Sequence, residues 1–240
     1  MTAHPRAPTR RFSDRVEFYV RYRPRYPRAL AEHLAQAGGL RAESVVADVG
    51  SGTGFLSEPF LAHGCMVYGI EPNADMRAAA EALLAPYPRF HSVEGTAEAT
   101  GLPGASIDWV LAGQAFHWFD AEAAAREFRR ILRPGGRAAI CWNERDAAGS
   151  AFMAAYDALL RRHAPEYEDI GHRHIGSVAH DRFFGHGDFR LDTFPNGQSF
   201  DREGLRGRLR SSSYTPPPGH PGHAPMLADL DTLFEAHQQG

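Results

Sequence analysis

The stretch from Val45 to Pro72 constrains this chain more than any other. It opens on an apolar, β-branched run, Val45-Val46-Ala47-Asp48-Val49, and empties into Gly50-Ser51-Gly52-Thr53-Gly54. β-Branched residues suit a pleated, buried strand, and the glycines suit a turn. A helix-length segment, Phe55 to Gly64, follows, and then a second apolar run, Met66 to Ile70, that ends on Glu71 and Pro72. This is a β-α-β unit of about 30 residues, close to the minimum for two parallel strands and their crossover. Three glycines at alternate positions let backbone approach a ligand where a Cβ would collide. The helix that follows offers free N–H groups to a polar or anionic group. Glu71, about 20 residues beyond Gly50, can accept hydrogen bonds from both hydroxyls of a ribose.

A nucleoside-bearing cofactor is therefore expected. The dinucleotide fingerprint G-x-G-x-x-G needs a third glycine at position 55, where this chain has Phe55. A bulky side chain there leaves little room for a pyrophosphate. Asp48 stands two residues before the first glycine, so the motif reads D-x-G-x-G-x-G. In this it resembles the class I S-adenosylmethionine (SAM)-dependent methyltransferases. The resemblance implies SAM as cofactor, with Asp48, Gly50, Ser51, Gly52, Thr53, Gly54, Glu71 and Pro72 around it. Met76, near the start of the next helix, would touch the adenine face, with a plain core role as the alternative. The turn Gly95-Thr96-Ala97-Glu98 would cap the adenine through Ala97 N–H and position 96, where many relatives carry Asp. Glu98 has a second reading as a structural acid.

Two further segments extend the resemblance. Tyr22-Arg23-Pro24-Arg25-Tyr26-Pro27 looks like the N-terminal segment that lies over the methionine end of the cofactor in type 11 methyltransferases acting on small molecules. Arg23 would meet a carboxylate bidentately. Tyr19, Tyr22 or Tyr26 would wall the sulfonium, and Tyr22 and Tyr26 would also face the acceptor. Plain packing on the domain edge is the alternative. The strand Trp109–Gly113 ends in Gln114-Ala115-Phe116-His117-Trp118-Phe119-Asp120. Here the resemblance is to the trans-aconitate methyltransferase-like branch. Gln114 and Ala115 would face the methionine part, and Phe116, His117 and Trp118 the acceptor. His117 is the candidate general base, since an imidazole titrates near neutrality; an edge histidine among aromatics is the other reading. Leu132-Arg133-Pro134-Gly135-Gly136 matches a second hallmark turn, ahead of a fifth strand at 137–142.

The chain contains no lysine; all 26 basic residues are arginine. That removes the Walker A lysine, the kinase lysine and a Schiff base to pyridoxal phosphate. A net charge of −3 gives no overall attraction to nucleic acid, although residues 1–30 hold eight arginines. No apolar run approaches the ~20 residues of a membrane span, and no signal pattern opens the chain. Cys65 and Cys141 suit a reducing cytoplasm better than a disulfide framework. His172, His174 and His180 could be read as metal ligands, but the chemistry asks for none; scattered surface histidines are the expectation.

The expected fold is α/β: a Rossmann-like, doubly wound, mostly parallel sheet with helices on both faces and a helical, aromatic cap. It would form one methyltransferase domain over 1–240. Residues 1–10 would be flexible, 11–39 would cover the cofactor, and 40–142 would be the SAM-binding core. An acceptor-binding insertion at 143–186 and a C-terminal part at 187–240 would follow. No segment suits the final antiparallel strand of relatives. Extended runs are expected within 188–200, and Pro59 implies a bent helix or an irregular first turn. The expected activity is methyl transfer from SAM to a carboxylate or hydroxyl oxygen of a small molecule. A SAM-binding module without activity and a nicotinamide-dependent oxidoreductase are the alternatives. No nucleic-acid or membrane partner is expected, and the oligomeric state is open.

Overall fold

The computed structural model describes residues 16–164, 167, 183–185 and 189–238. They divide into two compact units. One is built on Pro24–Asn143 and the described residues up to Asn196; the other on Glu17–Arg23, the stretch from Glu144 to Tyr167, and Gly197 onward.

The first unit starts with helix α2 (Ala29–Gly38), counting Val16–Tyr22 as α1. Gly39 closes α2 in the left-handed conformation, φ 76°, donating its N–H to Leu34 O. The sheet strands are β1 (Val45–Val49), β2 (Met66–Ile70), β3 (Phe90–Val93), β4 (Ile107–Gly113) and β5 (Leu132–Cys141). Between them run α3 (Ser57–Ala62), α4 (Ala74–Leu84) and α5 (Ala121–Ile131). The strand order is β3-β2-β1-β4-β5, and every pairing is parallel.

Successive residues of a strand face opposite sides. Val46, Val67 and Leu111 pack with Leu30, Phe60 and Leu84 from α2, α3 and α4. Ala47, Val49 and Val110 pack on the other face with Phe128 and Ile131 of α5. Burial on both faces explains why β1 and β4 read as nearly unbroken apolar runs. The chain leaves β1 in one direction to build β2 and β3, then returns to the other side of β1 for β4 and β5. Beyond the C-terminal ends of β1 and β4 such a sheet opens a crevice.

Some boundaries differ from expectation. Pro59 lies in the first turn of the short α3, where its missing N–H costs no helical hydrogen bond, so the irregular-start reading holds. β5 begins at Leu132 rather than Arg137, because Leu132 already pairs with Ile107. Arg137 pairs with Trp109, so Pro134-Gly135-Gly136 bulges within the strand as an irregularity of register. Residues 189–200 contain no strand. Among the described residues, no helix is long and apolar enough to cross a membrane.

The second unit contains α1, α6 (Ala151–His163), α7 (Arg202–Arg210) and α8 (His223–His237). Leu159, Leu160, Leu205, Leu209, Met226 and Leu230 form its core. Ser150 and Asp201 cap α6 and α7 through their side chains. Most of the segment expected to form the acceptor-binding insertion, including His172, His174 and His180, lies outside the described residues.

Candidate functional site

The glycine turn leaves β1 with three positive φ angles: 69° at Gly50, 55° at Gly52 and 81° at Gly54. The amides of Gly50 and Ser51 both donate to Ile70 O, at 2.8 and 3.1 Å, which ties the turn to the end of β2. The glycines differ in purpose. A Cβ on Gly50 would sit 2.6 Å from the Cβ of Ala115, just past β4, and 3.4 Å from the Phe119 ring. A Cβ on Gly54 would meet Leu84 Cδ1 at 2.5 Å. A Cβ on Gly52 would meet nothing within 4 Å. Gly50 and Gly54 serve packing, whereas Gly52 borders open space.

Asp48 is fully buried beneath this turn, and its Oδ2 accepts a 2.7 Å hydrogen bond from Ser57 Oγ. Burial pushes its carboxyl up to about 7; the Ser57 hydrogen bond opposes the rise and the Glu71 charge adds to it. Oδ1 of Asp48 and Oγ1 of Thr53 are buried with no hydrogen-bond partner among the described residues. Glu71 turns back over the turn: its Oε2 accepts from Gly52 N at 3.0 Å and its Oε1 from Asn73 N at 2.9 Å. Burial raises the Glu71 carboxyl above its usual range, against these two hydrogen bonds and Arg77. Asn73 caps α4 by accepting from the amides of Asp75 and Met76; Met76 is buried, and Pro72 is exposed.

The second group comes from the far side of β1. Thr96 and Ala99 exchange backbone hydrogen bonds at 3.1 and 3.3 Å, forming a tight turn with Ala97 buried and Thr96 exposed. Glu98 Oε1 accepts from Asp120 N at 2.9 Å, which joins this turn to the start of α5. Gln114 takes a positive φ of 55°, and its Nε2 donates to Asn143 O at 3.0 Å. Ala115 is buried against Gly50. Phe116 is buried edge-on to Phe119, Trp142 and Phe183. His117 lies 4.7 Å from the Trp118 ring, and Trp118 is exposed. The Tyr26 hydroxyl lies over Gly113 at the end of β4, where a Cβ would come within 2.6 Å of it.

Gly50, Gly52, Asp48, Glu71, Ala115 and Tyr26 thus gather around the ends of β1, β2 and β4. Tyr22 and Arg23 belong to the second unit. There Tyr22 lies against Gly207, and Arg23 donates to Ser211 O from Nε and Nη2, at 3.2 and 2.9 Å. Sequence reasoning missed Ser57 as the partner of Asp48, and Phe119 and Asn143 at the strand ends. Ser57, nine residues after Asp48, reads only as an early-helix serine until the helix folds back over β1. Among the described residues no three His, Cys, Asp or Glu side chains are grouped to hold a metal.

Does this geometry suit the nucleoside cofactor? The open space beside Gly52, the adjacent carboxylate of Glu71 and the two partnerless oxygens of Asp48 and Thr53 make a polar cradle, and they fit it. Residues 47–140, from β1 to β5, match the family profile described as a methyltransferase domain. In this they are similar to SAM-dependent methyltransferase domains. An uncharacterized methyltransferase of Mycobacterium tuberculosis is 38% identical over 146 residues, 61% of this chain and 57% of that protein. One from Schizosaccharomyces pombe is 31% identical over 138 residues, 57% of this chain and 54% of its own. The chain spans a little over half the length of these curated relatives. A solved structure from Anaeromyxobacter dehalogenans, provisionally named a type II methyltransferase, superposes with a TM-score of 0.66 at 27% identity, covering 90% of this chain and 89% of that one. A Methanococcus maripaludis structure shares the fold alone, with a TM-score of 0.55 at 20% identity over 76% of this chain and 84% of that one. The first unit therefore has the Rossmann-like fold expected.

Proposed function

We propose that the protein transfers the methyl group of SAM to a carboxylate or hydroxyl oxygen of a small-molecule acceptor. The pairing of Gly52 with Glu71 carries this reading: open space on one side of a left-handed glycine, and a carboxylate held at its edge. When bound, SAM supplies a methyl already activated on a sulfonium, so in-line displacement needs placement more than further activation. Glu71 would exchange its backbone donors for the ribose hydroxyls. Gly52 leaves room for the nucleoside, and Ala97 N–H meets the adenine edge with Thr96 and Met76 beside it. Ser51, Thr53, Gly54, Pro72, Gln114 and Ala115 line the rest, and Glu98 supports them through Asp120. Phe116 and Trp118 exclude water from the reacting atoms. A carboxylate acceptor is nucleophilic without help; a hydroxyl acceptor passes its proton to His117. Within the class, the run Phe116-His117-Trp118 supports the trans-aconitate methyltransferase-like branch.

Calorimetry with SAM and its demethylated product is the direct test. Saturable binding of both is expected, and Glu71→Ala should weaken it ten-fold or more while the circular dichroism spectrum stays unchanged. A folded protein that takes up neither compound sinks the proposal. Tritiated methyl transfer to a metabolite extract then separates an active enzyme from a silent SAM binder.

A further inference from the structure

The second unit holds half-buried positive charge that no carboxylate among its described residues neutralises. Arg145 follows β5 by four residues in the chain, Arg208 lies on α7, and Arg23 follows α1. Arg145 Cζ stands 5.6 Å from the ring of Tyr156 and 5.8 Å from those of Tyr167 and Tyr214. Aromatic faces steady a cation without cancelling its charge. Arg145 donates to the Tyr214 hydroxyl, and Arg208 Nη1 to Ser212 Oγ at 3.2 Å. Among the described residues, Arg23 donates only to the Ser211 carbonyl. Among the described residues, none of these three guanidiniums is ion-paired with a carboxylate. Asp157, on the same helix as Tyr156, is taken by the Tyr167 hydroxyl at 2.7 Å and by Arg161.

The charges also act on one another. Burial pushes the Arg208 guanidinium down to about 10, and its neighbours Arg23 and Arg145 press it the same way. Burial works against the Tyr214 phenol's ionisation, but Arg145, Arg208 and Arg23 together outweigh it and draw its pKa down. Against burial, the tyrosines act in the opposite sense and raise Arg145. The Tyr156 side chain is almost wholly buried, 4% exposed, and its hydroxyl has no hydrogen-bond partner among the described residues. It lies within the field of Arg145, Arg208 and Arg23. A buried donor left open beside three cations, each with spare N–H groups, is arranged to receive an acceptor oxygen that bears charge.

We propose that Arg145, Arg208 and Arg23, with the Tyr156 hydroxyl, form a binding site for a small oxyanion, the carboxylate or phosphate group of a metabolite. A planar guanidinium grips either group through paired N–H donors. A neutral ligand gains nothing from the cluster, and chloride, a single atom, offers no pair of oxygens to bridge two guanidiniums. The site stands on the second unit's own residues and does not rest on methyl transfer, so each reading can fail without the other.

The test is thermal denaturation of the full chain titrated with sodium phosphate and, separately, with sodium acetate, against sodium chloride at equal ionic strength. A ligand that binds only the native state raises the melting temperature in a saturable way. A saturable rise with at least one oxyanion beyond chloride is expected. The stronger of the two identifies the group the site takes. Arg208→Met should abolish that rise, and Tyr156→Phe, which removes only a hydroxyl, should weaken apparent affinity several-fold with the fold intact. If Arg208→Met does not fold, Tyr156→Phe decides alone. Equal shifts in all three salts, or an undiminished response in Tyr156→Phe, overturn the proposal and leave a structural cation–aromatic cluster. Calorimetry with SAM on the same Tyr156→Phe protein reports on the methyltransferase reading separately.

Discussion

Replacing Gly52 with alanine is expected to abolish SAM binding and to spare the fold. Its φ of 55° is left-handed, so any side chain carries strain of about 1–2 kcal/mol. In a chain of this size that lowers the melting temperature by roughly 2–8 °C. The new Cβ meets no protein atom within 4 Å, so no collision adds to the strain. The methyl would instead stand where the proposed nucleoside must lie, and affinity should fall a hundred-fold or more. Gly50→Ala is the contrasting control. It carries the same backbone strain and drives a Cβ to 2.6 Å from the Cβ of Ala115, an atom with no rotamer by which to retreat. Its melting temperature should fall well below that of Gly52→Ala. Calorimetry and thermal denaturation of both variants check the pair. Gly52→Ala binding SAM like the wild type would mean the open space is not the cofactor's.

Asp48→Asn should stabilise the protein above neutral pH and flatten its stability profile. The carboxyl of Asp48 is held near 7 by burial, against an ordinary value of 3.8. An acid whose folded pKa is raised binds its proton more tightly in the native state. Its contribution is therefore fully present below about pH 4 and is lost as pH climbs toward 7, after which the penalty is complete. A shift of this size corresponds to about 4 kcal/mol as an upper bound. Asparagine keeps an oxygen to accept from Ser57 Oγ and carries no charge to desolvate. Denaturant unfolding of both proteins at pH 5 and pH 8 should show the variant's advantage growing by about 2–4 kcal/mol at the higher pH. Glu71 is raised in the same direction, so the wild-type slope is not Asp48's alone; the difference between the two proteins isolates Asp48. Parallel pH profiles would show that Asp48 is not a buried acid held neutral.

Much of the first unit was legible in the sequence because its signals are local. The D-x-G-x-G-x-G turn, the acid at the end of β2 and the unbroken apolar strands act within a few residues of themselves. The site residues separate along the same line. Gly52 and Glu71 meet across two adjacent strand tips joined by one short crossover, so their spacing foretells the encounter. Glu98 had two readings on sequence, and only the arrival of α5 put the Asp120 amide on it.

The sequence alone determined a β-α-β unit with a glycine turn and a facing acid, and thereby a parallel sheet whose strand ends carry the proposed nucleoside site. Tertiary structure alone decided that Asp48 loses its water, that Gly50 packs while Gly52 opens, and that Arg145 meets three tyrosines with Arg23 and Arg208 acting on the same charge cluster. The physical reason is range. Backbone preference and alternation depend on neighbours in the chain, whereas desolvation and charge repulsion depend on what folding brings near from distant parts of it.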